Sequence, residues 1–190
     1  CIYAANKFIE LADGVDLVIA NSGIAGKDNL FSGNSKYVNK ILNTNILGVH
    51  LEGPFINPNK LGAQPPLAIN PSIDFIKKLY DIAPIKVITL APELDGMDDF
   101  IDQLDKLEIN IQFGHSLADY ECCAKFMNKY SIGFTHLYNA MSGNHHRSSG
   151  VLGAALELGS YAEIICDLNH VNETSIKIAK KCIKNLYAVT

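Results

Sequence analysis

Short apolar runs alternate along the chain with longer segments in which apolar residues recur every three or four positions. Buried parallel strands appear in a sequence as short apolar runs, and amphipathic helices show the longer period. The pattern therefore predicts repeated strand–helix units around a parallel sheet. Seven runs are of the strand type, at residues 16–20, 46–51, 85–90, 109–113, 132–134, 162–166 and 186–189.

The segments between these runs carry the apolar stripes expected of helices. Asn70 followed by Pro71 predicts a helix start, with Ile73 and Ile76 on the buried side. Ser116 and Asp119 form a candidate pair of capping residues for a later helix. Stripes that predict the other helices contain Tyr37, Val38, Ile41 and Leu42; Phe100, Leu104 and Leu107; and Ile176, Ala179 and Ile183.

Seven strand–helix units are more than a doubly wound sheet needs and one fewer than a closed eight-stranded barrel. The predicted fold class is therefore α/β, a partial (β/α)8 TIM-type barrel, and residues 1–190 form one domain because no shift in composition marks a boundary. Polar residues gather at the carboxyl ends of the strands, which is the catalytic face of such barrels. They are Glu52, Glu93, His115, His136 and His170.

Three of these strand-end residues suit a metal ion. Glu52, His115 and His136 offer one carboxylate and two imidazoles, a set that favours zinc or a similar first-row divalent ion and leaves a coordination position open. Such an ion would lower the pKa of a bound water and polarise a carbonyl, with a nearby carboxylate as general base. The alternative is that each histidine is simply hydrogen-bonded and that Glu52 caps a turn.

The residues after His136 have the composition of an anion pocket. Asn139 and Ala140 follow the strand end, where backbone N–H groups can face an oxyanion, and Arg147 offers a fork of donors that matches phosphate. The segment Gly62-Ala63-Gln64, in a long Pro-rich loop, offers an amide for a substrate carbonyl or hydroxyl. The alternative for both segments is an ordinary solvated loop.

Charge and cysteine content exclude several classes of partner. With 16 basic and 20 acidic residues the net charge is -4 and no basic block is present, which argues against nucleic acid and membrane surfaces. No apolar run approaches the roughly 20 residues that span a bilayer. Five cysteines without a CxxC pair predict no disulfide framework, so a reducing cytoplasm is the expected location.

The motifs resemble those of the N-acetylglucosamine-6-phosphate deacetylase family, within the amidohydrolase superfamily. From residue 48 onward they occur in the family's order and cover most of the chain. They are GVHLEGPF at 48–55, GAQ at 62–64, TLAPE at 89–93, GHS at 114–116, THLYNAM at 135–141 with Arg147, and DxxH at 167–170.

The resemblance implies hydrolysis of N-acetyl-D-glucosamine 6-phosphate to glucosamine 6-phosphate and acetate. It implies that Glu52, His115 and His136 hold a divalent metal, with zinc expected and iron or another first-row ion as alternatives. The sugar phosphate would meet Arg147, Asn139 and the Ala140 backbone, and in a homodimer Arg147 would reach into the neighbouring subunit's site. The segment at Ala63 and Gln64, together with His170, would contact the sugar or its acetyl group. Some family members have a histidine where this chain has Gln64, and an amide cannot titrate.

Two features of the family are missing from this sequence: the first-strand His-x-His or equivalent, and the β-sandwich built from both chain ends. The strands counted here would be the family's second to eighth, and the general-base Asp is expected immediately after Thr190. We therefore expect this segment alone to be inactive and not to fold by itself, because a missing strand opens a barrel and exposes two sheet edges. The alternatives are an amidohydrolase for another amide, such as N-acetylgalactosamine 6-phosphate, and a metal-free sugar-phosphate binding module.

Overall fold

The computed structural model describes residues 48–189. The strand predicted at 16–20 and the helix predicted at 37–42 lie outside the described residues. The described strands, in chain order, are β1 (Val49–Glu52), β2 (Ile85–Leu90), β3 (Asn110–Phe113), β4 (Ile132–Phe134), β5 (Asn144–His145), β6 (Ser148–Ser149), β7 (Tyr161–Ile165) and β8 (Asn185–Val189).

Six of these strands form one parallel sheet in the order β1-β2-β3-β4-β7-β8, and β5 and β6 form a small antiparallel hairpin. Five helices connect the strands: α1 (Ile73–Tyr80), α2 (Met97–Lys106), α3 (Tyr120–Met127), α4 (Val151–Leu158) and α5 (Glu173–Cys182). The six strands occur in the sheet in the same order as in the chain, with only the β5–β6 hairpin inserted between β4 and β7. This arrangement confirms the predicted partial (β/α)8 architecture.

The two faces of the sheet differ in polarity because side chains alternate along each strand. One face carries large apolar residues, and on β3 and β4 the rings of Phe113 and Phe134 pack edge to face with centroids 6.2 Å apart. Phe126 of α3 also packs edge to face against Phe113. The other face carries polar residues, such as Gln112, which is 1% exposed. The sheet thus has an apolar core on one face and a polar interior on the other, and the candidate functional side chains stand at its strand ends.

Two predicted helix starts were wrong in detail. Ser72, not Asn70, caps α1, because its side chain accepts a hydrogen bond from the Phe75 backbone N–H. Asp119 caps α3 without Ser116, and its carboxylate accepts from the Cys122 N–H. In each case the true capping residue stands directly before the first helical residue, where its side chain reaches the free N–H groups.

The sequence patterns did not predict α4 or the β5–β6 hairpin. α4 has the sequence VLGAALEL, which is apolar on most sides, and it begins after Gly150 without a side-chain cap. A helix buried on several sides shows no contrast between two faces, so its period is weak. In the described part of the chain, no helix is long and apolar enough to span a membrane.

Candidate metal centre

The structure brings together Glu52, His115 and His136, which lie at the ends of β1, β3 and β4. His115 Nε2 is 2.7 Å from Glu52 Oε1, and His136 Nε2 is 3.2 Å from the same oxygen. The two Nε2 atoms are 3.0 Å apart. Both histidines are buried and Glu52 is half-buried. Parallel strands place these residues on one edge of the sheet, so three donor atoms from distant parts of the chain converge on one point.

Both histidines have left-handed backbone conformations. The φ angle is +50° at His115 and +32° at His136, and Tyr138 and Ala140 also have positive φ. Non-glycine residues adopt this region at a cost of about 1–3 kcal/mol, and such residues concentrate at functional sites. The strands therefore end in sharp turns that direct both imidazoles toward Glu52.

The three side chains are electrostatically coupled. Burial opposes the ionisation of Glu52, but its close contacts with the imidazoles of His115 and His136 outweigh burial and hold its pKa well below the usual range. Burial likewise opposes the charged form of His136, but its hydrogen bond to Glu52 and the attraction of that carboxylate raise its pKa. The site thus favours the ionised form of Glu52, which is the form that can bind a cation.

The donor atoms fit a divalent cation. His115 Nδ1 lies 2.7 Å from the carbonyl oxygen of Lys60, to which only its N–H form can donate. In the neutral ring, His115 Nε2 then has a lone pair that faces the lone pairs of Glu52 Oε1, and a cation between them relieves the repulsion. Within residues 48–189, His136 Nδ1 is a buried ring nitrogen without a hydrogen-bond partner, which is uncommon in folded proteins.

The long loop after β1 closes over His115. Gly62 has a φ of +56°, and a Cβ added at this position would lie 3.4 Å from His115 Cε1 and 3.8 Å from the Ala140 Cβ. The predicted substrate residues Ala63 and Gln64 follow directly, Ala63 exposed and Gln64 half-buried. The loop that carries them is therefore positioned against the candidate metal ligands.

The residues predicted to receive phosphate lie in two places. Asn139 and Ala140 are half-buried beside the cluster, and the Ala140 carbonyl accepts from the Ser116 N–H at 3.1 Å. Arg147 is exposed in the turn of the β5–β6 hairpin, with its guanidinium 3.0 Å from His146 Nε2. Within the described residues, no hydrogen bond or ion pair joins Arg147 to the three candidate ligands.

His170 lies after β7 and is exposed, and Asp167 orients its ring. His170 Nδ1 is 2.7 Å from Asp167 Oδ2, and Asp167 Oδ1 accepts from the backbone N–H of Asn169 and His170. The backbone N–H of His170, its ring and the Asn169 N–H lower the pKa of Asp167 to about 2. Because Nδ1 faces the carboxylate, Nε2 is the ring atom left for a ligand.

A polar ring beneath the cluster, with His50 and Tyr187 half-buried and its other members buried, was not predicted from the sequence. His50 Nε2 lies 2.7 Å from Thr89 Oγ1, and burial lowers the pKa of His50 to about 4. Burial raises the pKa of Glu163, which lies 3.5 Å from His50 Nδ1. In the sequence, its members are visible only as single polar residues at inward-facing positions of otherwise apolar strands. The ring consists of His50, Thr89, Thr135, Gln112, Glu163 and Tyr187, joined by successive hydrogen bonds.

The Glu163→Gln variant is expected to gain stability relative to the unmodified protein as pH rises. The folded pKa of Glu163 is raised above its unfolded value of 4.5, so its favourable contribution is complete below that pH and is lost as pH rises through the folded pKa. Denaturant unfolding of the metal-free proteins across pH 4 to 8 measures the difference. Glu121→Gln, an exposed carboxylate on α3, is the control, and a pH-independent difference for Glu163→Gln would contradict the prediction.

Comparisons with known proteins identify the relatives of this fold and site. No protein-family model matches the chain. It is 41% identical over 143 residues to N-acetylglucosamine-6-phosphate deacetylase of Bacillus subtilis, covering 73% of this chain and 36% of the relative. It is 32% identical over 143 residues to N-acetylgalactosamine-6-phosphate deacetylase of Escherichia coli O157:H7, covering 73% of this chain and 38% of that relative.

A solved structure of the Mycobacterium smegmatis N-acetyl-D-glucosamine-6-phosphate deacetylase, a mutant in complex with N-acetyl-D-glucosamine 6-phosphate, is also similar. It matches with a TM-score of 0.74 and 28% identity, covering 82% of this chain and 42% of that one. The chain thus spans well under half the length of the relatives it matches. The sheet, the strand-end motifs and these relatives agree: the chain belongs to the N-acetylglucosamine-6-phosphate deacetylase family.

Proposed function

We propose that the whole protein hydrolyses the acetamide of N-acetyl-D-glucosamine 6-phosphate to glucosamine 6-phosphate and acetate. The observation that carries the proposal is the convergence of Glu52, His115 and His136 within 3.2 Å of one another, in a chain whose relatives bear that activity in their names. The assignments of metal, substrate contacts and subunit arrangement below are parts of the same proposal.

The three convergent side chains would hold a divalent ion, and one carboxylate with two imidazoles favours zinc, with iron or another first-row ion as alternatives. When bound, such an ion supplies Lewis acidity to the amide carbonyl and to a water. Lys60 orients His115 through its carbonyl oxygen. The carboxylate expected directly after Thr190 would take a proton from water and deliver it to the leaving amine.

The substrate would lie between this centre and the segment that follows β4. Asn139, the Ala140 backbone and Arg147 would bind the phosphate, and Gln64 and His170 would contact the sugar or its acetyl group. Arg147 is exposed on a hairpin, a position from which it could serve a neighbouring subunit's site in a homodimer. Because one relative is an N-acetylgalactosamine-6-phosphate deacetylase, the epimer N-acetylgalactosamine 6-phosphate is the second candidate substrate.

Acetate release by the metal-loaded whole protein tests the function. We expect release from N-acetyl-D-glucosamine 6-phosphate and much slower release from the unphosphorylated sugar. Arg147→Ala should raise KM for the phosphorylated sugar about tenfold or more, because a hydrogen bond to a charged group contributes about 1.5–3 kcal/mol. Lys181→Ala, an exposed cation in the last turn of α5, is the control and should leave KM unchanged.

Four results would contradict the proposal or a part of it. Equal rates with the phosphorylated and unphosphorylated sugar would show that the phosphate is not recognised. An unchanged KM in Arg147→Ala would show that Arg147 does not bind it. Faster release from N-acetylgalactosamine 6-phosphate would replace the proposed sugar by its epimer. Absence of any acetate release under metal-replete conditions would overturn the hydrolase.

A further inference from the structure

Glu93 lies at the end of β2, between the strands that supply Glu52 and His115, and its carboxylate accepts three hydrogen bonds. Asn57 Nδ2 donates to Oε1 at 2.9 Å, and the Leu117 N–H donates to the same oxygen at 2.6 Å. The Ser116 hydroxyl donates to Oε2 at 2.7 Å. One side chain therefore joins the loop after β1 to the loop after β3.

The two loops that Glu93 joins are those that determine the position of His115. The Asn57 N–H donates to the His115 carbonyl at 2.9 Å, so the residue bound to Glu93 by its side chain also holds His115 by its backbone. Ser116 and Leu117, the other two donors to Glu93, follow His115 directly in the chain. His115 is thus held on both sides in its left-handed conformation, which it would not adopt without support.

We propose that Glu93 is a positioning residue for the metal centre: it fixes the His115 backbone so that Nδ1 meets the Lys60 carbonyl while Nε2 faces Glu52. Without the carboxylate, three donors lose their acceptor and the turn that carries His115 can relax to an ordinary conformation. His115 Nε2 would then leave the point on which the three donor atoms converge. The inference rests on the proposed metal centre and adds to it a residue that does not touch the ion.

Metal affinity of the folded protein tests the inference directly. Competition with a chelator for zinc gives the apparent Kd of the unmodified protein and of Glu93→Ala, measured well below the melting temperature of each. We expect binding to weaken about ten- to a hundredfold in Glu93→Ala, the range found when residues that orient metal ligands are removed. Glu93→Gln retains one acceptor oxygen and should restore part of the affinity.

Two controls separate positioning from general stability. Asp95→Asn changes an exposed carboxylate in the same loop, and Ile101→Val loosens the core packing of the adjacent α2. Both should keep the affinity of the unmodified protein, although Ile101→Val lowers the melting temperature. Where Glu93→Ala does not fold, Ser116→Ala removes one of the three donors and should weaken zinc binding severalfold.

An unchanged Kd in Glu93→Ala, or in both Glu93→Gln and Ser116→Ala if Glu93→Ala does not fold, would overturn the positioning role and leave the metal centre intact. A weakening of the same size in Ile101→Val would also overturn it, because the loss would then follow stability. An unmodified protein that binds no divalent ion would overturn the metal centre and the inference together.

Discussion

The His136→Ala variant is expected to lose its divalent ion and, with it, hydrolysis of the phosphorylated amide. In the proposed metal centre His136 would supply one of three protein donor atoms, and its Nε2 is within 3.2 Å of both other donors. Removing residues that merely orient ligands weakens metal binding ten- to a hundredfold, so loss of a ligand should weaken it by at least about a hundredfold. Elemental analysis after dialysis, together with chelator competition, measures the change.

The matched control is His170→Ala, which removes another histidine from the carboxyl end of the sheet. His170 is bound to Asp167 and lies outside the three-residue cluster, so this variant should retain a stoichiometric ion while losing affinity for the sugar. Metal content and KM together distinguish the two histidines. Full metal retention in His136→Ala would show that His136 is not a metal ligand.

The Phe113→Ala variant is expected to lower the free energy of unfolding by about 3–5 kcal/mol. Phe113 is fully buried at the end of β3, and its ring packs edge to face against Phe126 and Phe134. Truncation to alanine removes most of this contact. It also leaves a cavity, because the sheet and α3 cannot both move in to fill the space. Since domains are commonly stable by only 5–15 kcal/mol, the variant should unfold at a much lower urea concentration.

Two further substitutions calibrate this effect. Phe113→Leu keeps most of the apolar volume and should cost considerably less than Phe113→Ala. Leu67→Ala truncates an apolar side chain that is 69% exposed and should change the unfolding midpoint little. A loss in Phe113→Ala no larger than in Leu67→Ala would show that the ring does not contribute as its burial implies.

The parallel sheet and the meeting of Glu52, His115 and His136 were predictable because both follow from local patterns. Short apolar runs separated by helical stripes require parallel strands, and the carboxyl ends of parallel strands share one edge. Polar residues directly after such runs therefore gather at that edge. Their positions in the chain predicted the shared edge, but left open whether each histidine was a metal ligand or simply hydrogen-bonded.

The ring under the cluster was less accessible to such reasoning. His50 and Glu163 stand in different strands, 113 positions apart, and each looks like an isolated polar residue within an apolar run. Their proximity depends on how the sheet curls, which brings β1 and β7 closer than their separation in the sheet order suggests. Glu93 could likewise be recognised in the sequence as a strand-end carboxylate. Its three hydrogen-bond donors could not, because they lie in loops, whose conformations produce no periodic pattern in the sequence.

The candidate ligands are separated by long stretches of chain: His115 is 63 positions after Glu52, and His136 is 84 positions after it. A bound ion would therefore act as a cross-link that closes two large loops of the unfolded chain. Its binding would raise the free energy of unfolding with the logarithm of the free ion concentration above Kd, because the unfolded chain cannot assemble the same site. Metal supply would then influence the lifetime of the folded protein as well as its chemistry.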